Sequence, residues 1–269
     1  MLVIGEKINA SNKSVGQAIA NKDSEFLTNL AKDQAAAGAD FIDVNVGAVL
    51  GDRNYQKATM EWLVGVVQAA IDKPLAIDSD VPGVIDAALR KYQGDTVMIN
   101  SVNAEPERLK VVGGLAVEHQ ALLVALAMGE LGIPSTVEER LDACELIMTH
   151  LTSIGLQEEQ VFFDPLVLPI AVDSTQGLVT LKTIQGIKSR YPSAKTVMGA
   201  SNVSYGLPRR GMVNRAFLLM AVSAGLDAAI LDPLDTKMMS FVTVADMLSG
   251  KDPSCKGFIR AHRKDILAD

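Results

Sequence analysis

Short apolar runs of strand length recur along the chain, near residues 2–5, 41–46, 74–78, 96–100, 121–127, 161–164, 195–199 and 228–232. Between and after them lie segments whose apolar residues return at helical spacing, near 24–38, 57–71, 82–93, 105–118, 136–154, 177–190, 213–225 and 242–249. Local punctuation agrees with that division. Ser24 suits an N-cap, with Leu27, Leu30 and Ala31 on one helical face and Gly38 at the C-terminal end. Ser135-Thr136 followed by Glu138-Glu139 reads as a capping box, and Pro82 fits a first turn, where its missing N–H is no loss. Gly94 and Gly225 are placed to end the third and seventh helices.

Eight strands, each followed by a helix, predict an α/β protein: a (β/α)8 TIM barrel formed as one domain over residues 1–269. An open doubly wound sheet uses equally apolar strands and stays as the alternative. No Pro-, Gly- or Ser-rich linker interrupts the units.

Composition narrows the function. Hydrophobic residues make up 48% of the chain and charged residues 21%, enough for a large core, while aromatics are only 4%. A net charge of −7 without a basic run argues against a nucleic-acid partner. No apolar stretch is long enough for a membrane span, and the N-terminal Met-Leu-Val-Ile-Gly-Glu-Lys reads as a first strand rather than a signal segment; a cytoplasmic protein is expected. Cys144 and Cys255 stand alone, so no disulfide framework or metal site is expected. His119, His150 and His262 fall in or beside helical segments, away from the strand ends, which speaks against a histidine-driven mechanism.

The strand ends carry the chemistry. Glu6 and Asn9, Asp43 and Asn45, Asp78, Asn100 and Asn103, Asp164, Ser201 and Asn202, and Asp232 all stand where an apolar run stops. In a barrel those ends converge on one mouth. Any one of these residues also serves as an ordinary helix cap or turn residue, but a cap needs one acceptor and not a ring of them. Asp78 and Asp164 suit the NH and NH2 groups of an amino-pyrimidinone, and Asn100 and Asn202 supply both donor and acceptor. The polar segment 201–211 ends in paired arginines; Arg210 is placed to meet a ligand carboxylate or to remain a solvated surface cation. Gly47 allows either close approach of a ligand to backbone or a plain tight turn. No glycine-rich phosphate cradle occurs.

Six segments in order, Ile4-Gly-Glu-Lys-Ile-Asn9, Asp43-Val-Asn-Val-Gly47, Ala76-Ile-Asp-Ser79, Met98-Ile-Asn-Ser101 with Asn103-Ala-Glu105, Asp164-Pro-Leu-Val-Leu-Pro169 and Gly199-Ala-Ser-Asn-Val203, make the chain resemble the pterin-binding methyltransferases that act between methyltetrahydrofolate and corrinoid proteins. The folate domain of cobalamin-dependent methionine synthase and, more distantly, dihydropteroate synthase are relatives of that family. The resemblance runs from about residue 1 to residue 250. It implies a pterin-binding barrel, usually homodimeric, with tetrahydrofolate or 5-methyltetrahydrofolate in the mouth and the cobalamin or other corrinoid carried by a partner protein. It implies that Asp78, Asn100 and Asp164 hold the pterin, that Gly199 and Ser201 line the pocket, that Asn202 reaches N5, and that Arg210 lies near the folate tail. No Asp-x-His-x-x-Gly cobalamin loop occurs, which favours a stand-alone subunit.

The implied reaction moves methyl between N5 and cobalt, with Asn202 as the catalytic group. Its direction is open: folate to corrinoid, or corrinoid to folate in a demethylase system. Ala127-Met-Gly-Glu130 departs from the more polar segment of relatives, and it leans the expectation towards the demethylase type. A dihydropteroate synthase is the first rival, although Gly-Ala-Ser-Asn-Val lacks the Ser-Arg-Lys expected there. A non-catalytic folate-binding subunit is the second.

Overall fold

The computed structural model describes residues 1–47 and 52–268. Strands β1 (Leu2–Asn9), β2 (Phe41–Asn45), β3 (Leu75–Asp78), β4 (Val97–Val102), β5 (Leu122–Leu126), β6 (Val161–Asp164), β7 (Lys195–Gly199) and β8 (Ala228–Leu231) are parallel and close in chain order. Closure is made by β8 pairing back on β1, Leu2 opposite Ala228 and Gly5 opposite Leu231. The open-sheet alternative is thereby removed.

Helix α1 (Lys13–Ala20) precedes the outer ring of α2 (Ser24–Ala36), α3 (Arg53–Gln68), α4 (Pro82–Lys91), α5 (Pro106–Glu118), α6 (Val137–Ser153), α7 (Gln176–Arg190), α8 (Arg210–Ala224) and α9 (Thr236–Leu248), and α10 (Lys256–Arg263) follows it. The sequence reading missed α1 and α10. Asn12 starts α1 by accepting the Ser14 N–H at 3.2 Å, and Val15, Ala18 and Ile19 are its buried face.

Several helices begin a turn earlier than apolar periodicity suggests. Asp52 accepts the N–H groups of Asn54 and Tyr55, each at 2.9 Å, and so starts α3 at Arg53. Asp235 does the same for α9 through Met238. First turns face solvent, so the cap rather than the apolar stripe marks the start. Asp23, not Ser24, caps α2, accepting from Phe26. Gly94 does not close α4, which ends at Lys91 with Tyr92 already extended. Gly38 (φ 103°) and Gly225 (φ 116°) do take the left-handed conformation that ends a helix. The capping box is formed by Thr136 and Glu139.

Packing divides into two layers. A large core lies between strands and helices. Inside the barrel, Ile4, Phe41, Ala76, Met98, Val124, Phe162, Val197 and Ala228, one from each strand, form an apolar plug.

Candidate active site

Side chains on a strand return to the same face every second residue. Two positions beyond the plug, towards the C-terminal ends of the strands, stand Glu6, Asp43, Asp78, Asn100, Leu126, Asp164, Gly199 and Ile230. All but Leu126 line a cavity of about 390 Å³ at the barrel mouth, within the roughly 300–1,000 Å³ usual for small-molecule sites. The register shift between Gly5 and Ile8 lets β1 present both Glu6 and Lys7 to this cavity, while Ile8 turns outward into the helix-facing core.

Asn45, Asp78 and Asn100 are register partners across β2, β3 and β4. Asn45 donates to Asp78 Oδ2 at 2.6 Å, and Asn100 reaches past β3 to donate to Asp43 Oδ2 at 3.1 Å. Each carboxylate thus holds one carboxamide in a fixed orientation. Burial raises the Asp43 carboxyl well above its ordinary range; the neighbouring Asp78 adds to this and the Asn100 amide opposes it. Burial also raises Asp78, against the Asn45 hydrogen bond. Glu6 is raised by burial and then by Asp232, whose Oδ2 is paired with Lys7 Nζ at 2.8 Å.

Asp164 ends β6 and accepts the Leu166 N–H at Oδ1, at 2.8 Å; among the described residues Oδ2 has no protein partner. Burial pushes this carboxyl up to about 6, with the Leu166 N–H and the Arg140 charge pulling it down. Arg140, on α6, is fully buried and donates to the Pro165 and Leu166 carbonyls. Arg108, on α5, binds the carbonyls of Ser79, Asp80 and Ser101, holding the chain beyond β3 and β4, where the Asn100–Ser101 peptide is cis.

After β7 the chain makes a short 3-10 turn, Asn202–Ser204, so the 201–211 segment is partly ordered before α8 begins at Arg210. Asn202 is exposed at the cavity rim, its side chain over Gly199: a Cβ there would meet Asn202 Nδ2 at 3.2 Å. No protein hydrogen bond holds the Asn202 carboxamide among the described residues, leaving both its donor and its acceptor for a ligand.

Of the predicted site residues, Asp78, Asn100, Asp164, Gly199, Ser201 and Asn202 come together around the cavity. Arg210 stands one layer behind: its Nη2 donates to the Ser201 carbonyl at 2.8 Å and its Nε to Ser204 Oγ at 3.0 Å. Asn103 acts as a turn acceptor for the Glu105 N–H. Gly47 does need glycine's freedom, with φ 67° and its N–H held by Asn45 Oδ1 at 2.6 Å. Sequence reasoning overlooked Asn12, Arg108 and Arg140. For Arg140 a signal existed: it lies on the buried stripe with Cys144 and Ile147, four and seven residues on.

Residues 5–232 match the family described as pterin binding enzyme. The methylcorrinoid:tetrahydrofolate methyltransferase of Eubacterium limosum is 32% identical over 268 residues, covering 98% of this chain and 97% of that protein. Methionine synthase of Mycobacterium leprae (strain TN) is 34% identical over 243 residues, 86% of this chain but 20% of the synthase. In fold, the chain is similar to dihydropteroate synthase from Xanthomonas albilineans in complex with 7,8-dihydropteroate, with a TM-score of 0.71 over 94% of each chain and 17% identity.

Proposed function

Because this chain belongs to the pterin-binding enzyme family, we propose that it transfers a methyl group between N5 of tetrahydrofolate and the cobalt of a corrinoid carried by a separate protein. The observation that carries the proposal is the ring of Asp78, Asn100 and Asp164 set one strand repeat above an apolar plug. A flat heterocycle fits there with its edge towards the carboxylates and its face on apolar ground. Asp164 Oδ2 and Asp78 Oδ1 accept N–H bonds from the amino-pyrimidinone edge, and the Asn100 carboxamide, oriented by Asp43, meets the mixed donor–acceptor positions.

Asn202 serves N5. When methyl passes to folate, the N5 lone pair forms the new N–C bond, the Co–C electron pair stays on cobalt, and N5 releases its proton. In reverse, N5 must carry a proton or developing positive charge as methyl leaves. A carboxamide can accept from protonated N5 or donate to its lone pair, so Asn202 acts in both directions, while Asp78, Asn100 and Asp164 hold the ring for in-line displacement. The Eubacterium limosum relative is named for transfer from methylcorrinoid to tetrahydrofolate, the same lean as the 127–130 segment. Likeness to dihydropteroate synthases extends to the fold alone.

The proposal takes the chain as one barrel domain acting as a cytoplasmic homodimer with Arg210 beside the folate tail; sedimentation would test the dimer. No helix of the described residues is long and apolar enough to cross a membrane. The decisive assay follows absorbance with free methylcobalamin: cob(I)alamin forming only when tetrahydrofolate is present supports the reaction, and no folate-dependent change with free or protein-bound corrinoid sinks it.

A further inference from the structure

We propose that Arg140 is a positioning residue for the folate site: from inside α6 it shapes the turn after β6 that aims Asp164 at the pterin ring, an inference that rests on the folate-binding role given above. Arg140 is completely buried, yet it forms no ion pair among the described residues. A buried guanidinium without a bonded carboxylate is costly unless its N–H groups are satisfied, and here each of its three nitrogens has at least one acceptor. Nη1 donates to the Pro165 carbonyl at 2.8 Å and the Leu166 carbonyl at 2.7 Å, Nη2 to Gln176 Oε1 at 2.7 Å, and Nε to the Pro134 carbonyl at 3.1 Å.

Two successive carbonyls can face one nitrogen only if the chain bends sharply between them. Leu166 makes that bend with φ 66°, in the left-handed region that side-chain-bearing residues avoid. The peptide that enters this bend is held on both sides, its Pro165 carbonyl by Arg140 and its Leu166 N–H by Asp164 Oδ1. Arg140 and Asp164 therefore clamp one turn from two sides, the cation taking its carbonyls and the carboxylate its N–H. Thr180 adds a hydrogen bond to the Leu166 carbonyl, and Gln176 also donates to Ser135 and Asp173, tying the clamp to the loops before α6 and α7.

A fold staple and a positioning residue both make these contacts, but they differ in what the charge does. The titratable groups that act on Asp164 are Arg140 and Cys144, both from α6. The Cys144 thiol, pushed up to about 12 by burial, is neutral near pH 6, which leaves Arg140 as the charge that favours ionised Asp164. A pterin N–H donor bonds more strongly to that ionised form.

The test is calorimetric titration of tetrahydrofolate into the full chain as wild type, Arg140→Met and Arg140→Lys, at pH values bracketing 6, with thermal melts of each. Arg140→Met is expected to lose roughly tenfold or more in affinity and to shift the midpoint of its pH dependence upward. Arg140→Lys keeps the charge but cannot reach all four acceptors, so its midpoint stays near wild type while its affinity falls. If Arg140→Met does not fold, weaker binding by folded Arg140→Lys at an unmoved midpoint still supports the role, and wild-type affinity in that variant overturns it. A folded Arg140→Met with wild-type affinity and midpoint overturns it as well, even with a lowered melting temperature. Wild-type protein that binds no tetrahydrofolate would instead remove the folate role itself, and the inference with it.

Discussion

Asn45 donates its side-chain amide to Asp78 at 2.6 Å, from the neighbouring strand and at the level where the two residues are register partners. That bond fixes one oxygen of Asp78, a residue that lines the cavity, and it favours the ionised carboxylate against burial.

Removing the donor therefore reaches the ligand indirectly. Asn45→Ala is expected to weaken tetrahydrofolate binding roughly fivefold, the effect of one net hydrogen bond, and to raise the Asp78 carboxyl further. Calorimetry at two pH values checks both; unchanged affinity would mean that Asp78 needs no help from Asn45.

Asp164→Asn exchanges an acceptor for a mixed donor–acceptor. Folate affinity should fall by about 2 kcal/mol near neutral pH, where the wild-type group is ionised, and the deficit should shrink as pH drops below 6. Stability moves the other way. The folded-state value of about 6 is above the ordinary 3.8, so the folded protein holds this proton more tightly than the unfolded chain does. The associated stability is present at low pH and is lost as pH rises between those two values. The neutral Asn escapes that loss, so the ligand-free variant should melt a few degrees higher than wild type at pH 7, on the scale of about 2 kcal/mol, with the gap closing below pH 4. Equal melting temperatures at pH 7 would show that burial of Asp164 is not destabilising.

Asn202→Ala should lower turnover roughly a hundredfold while leaving tetrahydrofolate affinity within a few-fold of wild type, because the carboxamide acts on charge that changes at N5. Steady-state kinetics with a saturating corrinoid partner measures the split. Turnover at the wild-type level would take Asn202 out of the reaction.

Gly199→Ala probes the same group without touching it. Its Cβ would sit 3.2 Å from Asn202 Nδ2, and the exposed Asn202 side chain can give way more readily than the strand. Turnover should fall roughly tenfold with a near-wild-type melting temperature, since the displaced group is at the rim rather than in the core. A large loss of stability with normal specific activity in the folded fraction would instead place the conflict in the barrel.

Much of the ring was legible from one-dimensional pattern. Ala76 with Asp78, Met98 with Asn100 and Phe162 with Asp164 are pairs two residues apart, so strand alternation alone puts each polar group above an apolar one. Helix starts were less legible, because Asp52 and Asp235 act through backbone N–H groups that carry no apolar period. The arginine supports were hidden for another reason. Arg140 bonds to carbonyls 25 and 26 residues away, and carbonyl direction depends on a bend at Leu166 that nothing in its side chain requires.

The order of apolar and polar residues was thus sufficient for eight strand–helix units and for most of the polar residues that reach the mouth, because alternation and capping are local and follow from side-chain geometry. It favoured a barrel but left the open sheet as an alternative that only the pairing of β8 on β1 removed, and it did not contain the register shift that turns both Glu6 and Lys7 into the mouth or the pairing of Asn100 with Asp43 over an intervening strand. Nor did it contain the raised carboxyls of Asp43 and Asp164, which exist only once the barrel has closed and water has left their surroundings. Those features depend on contacts between residues distant in the chain, and on the low-dielectric interior that such contacts create.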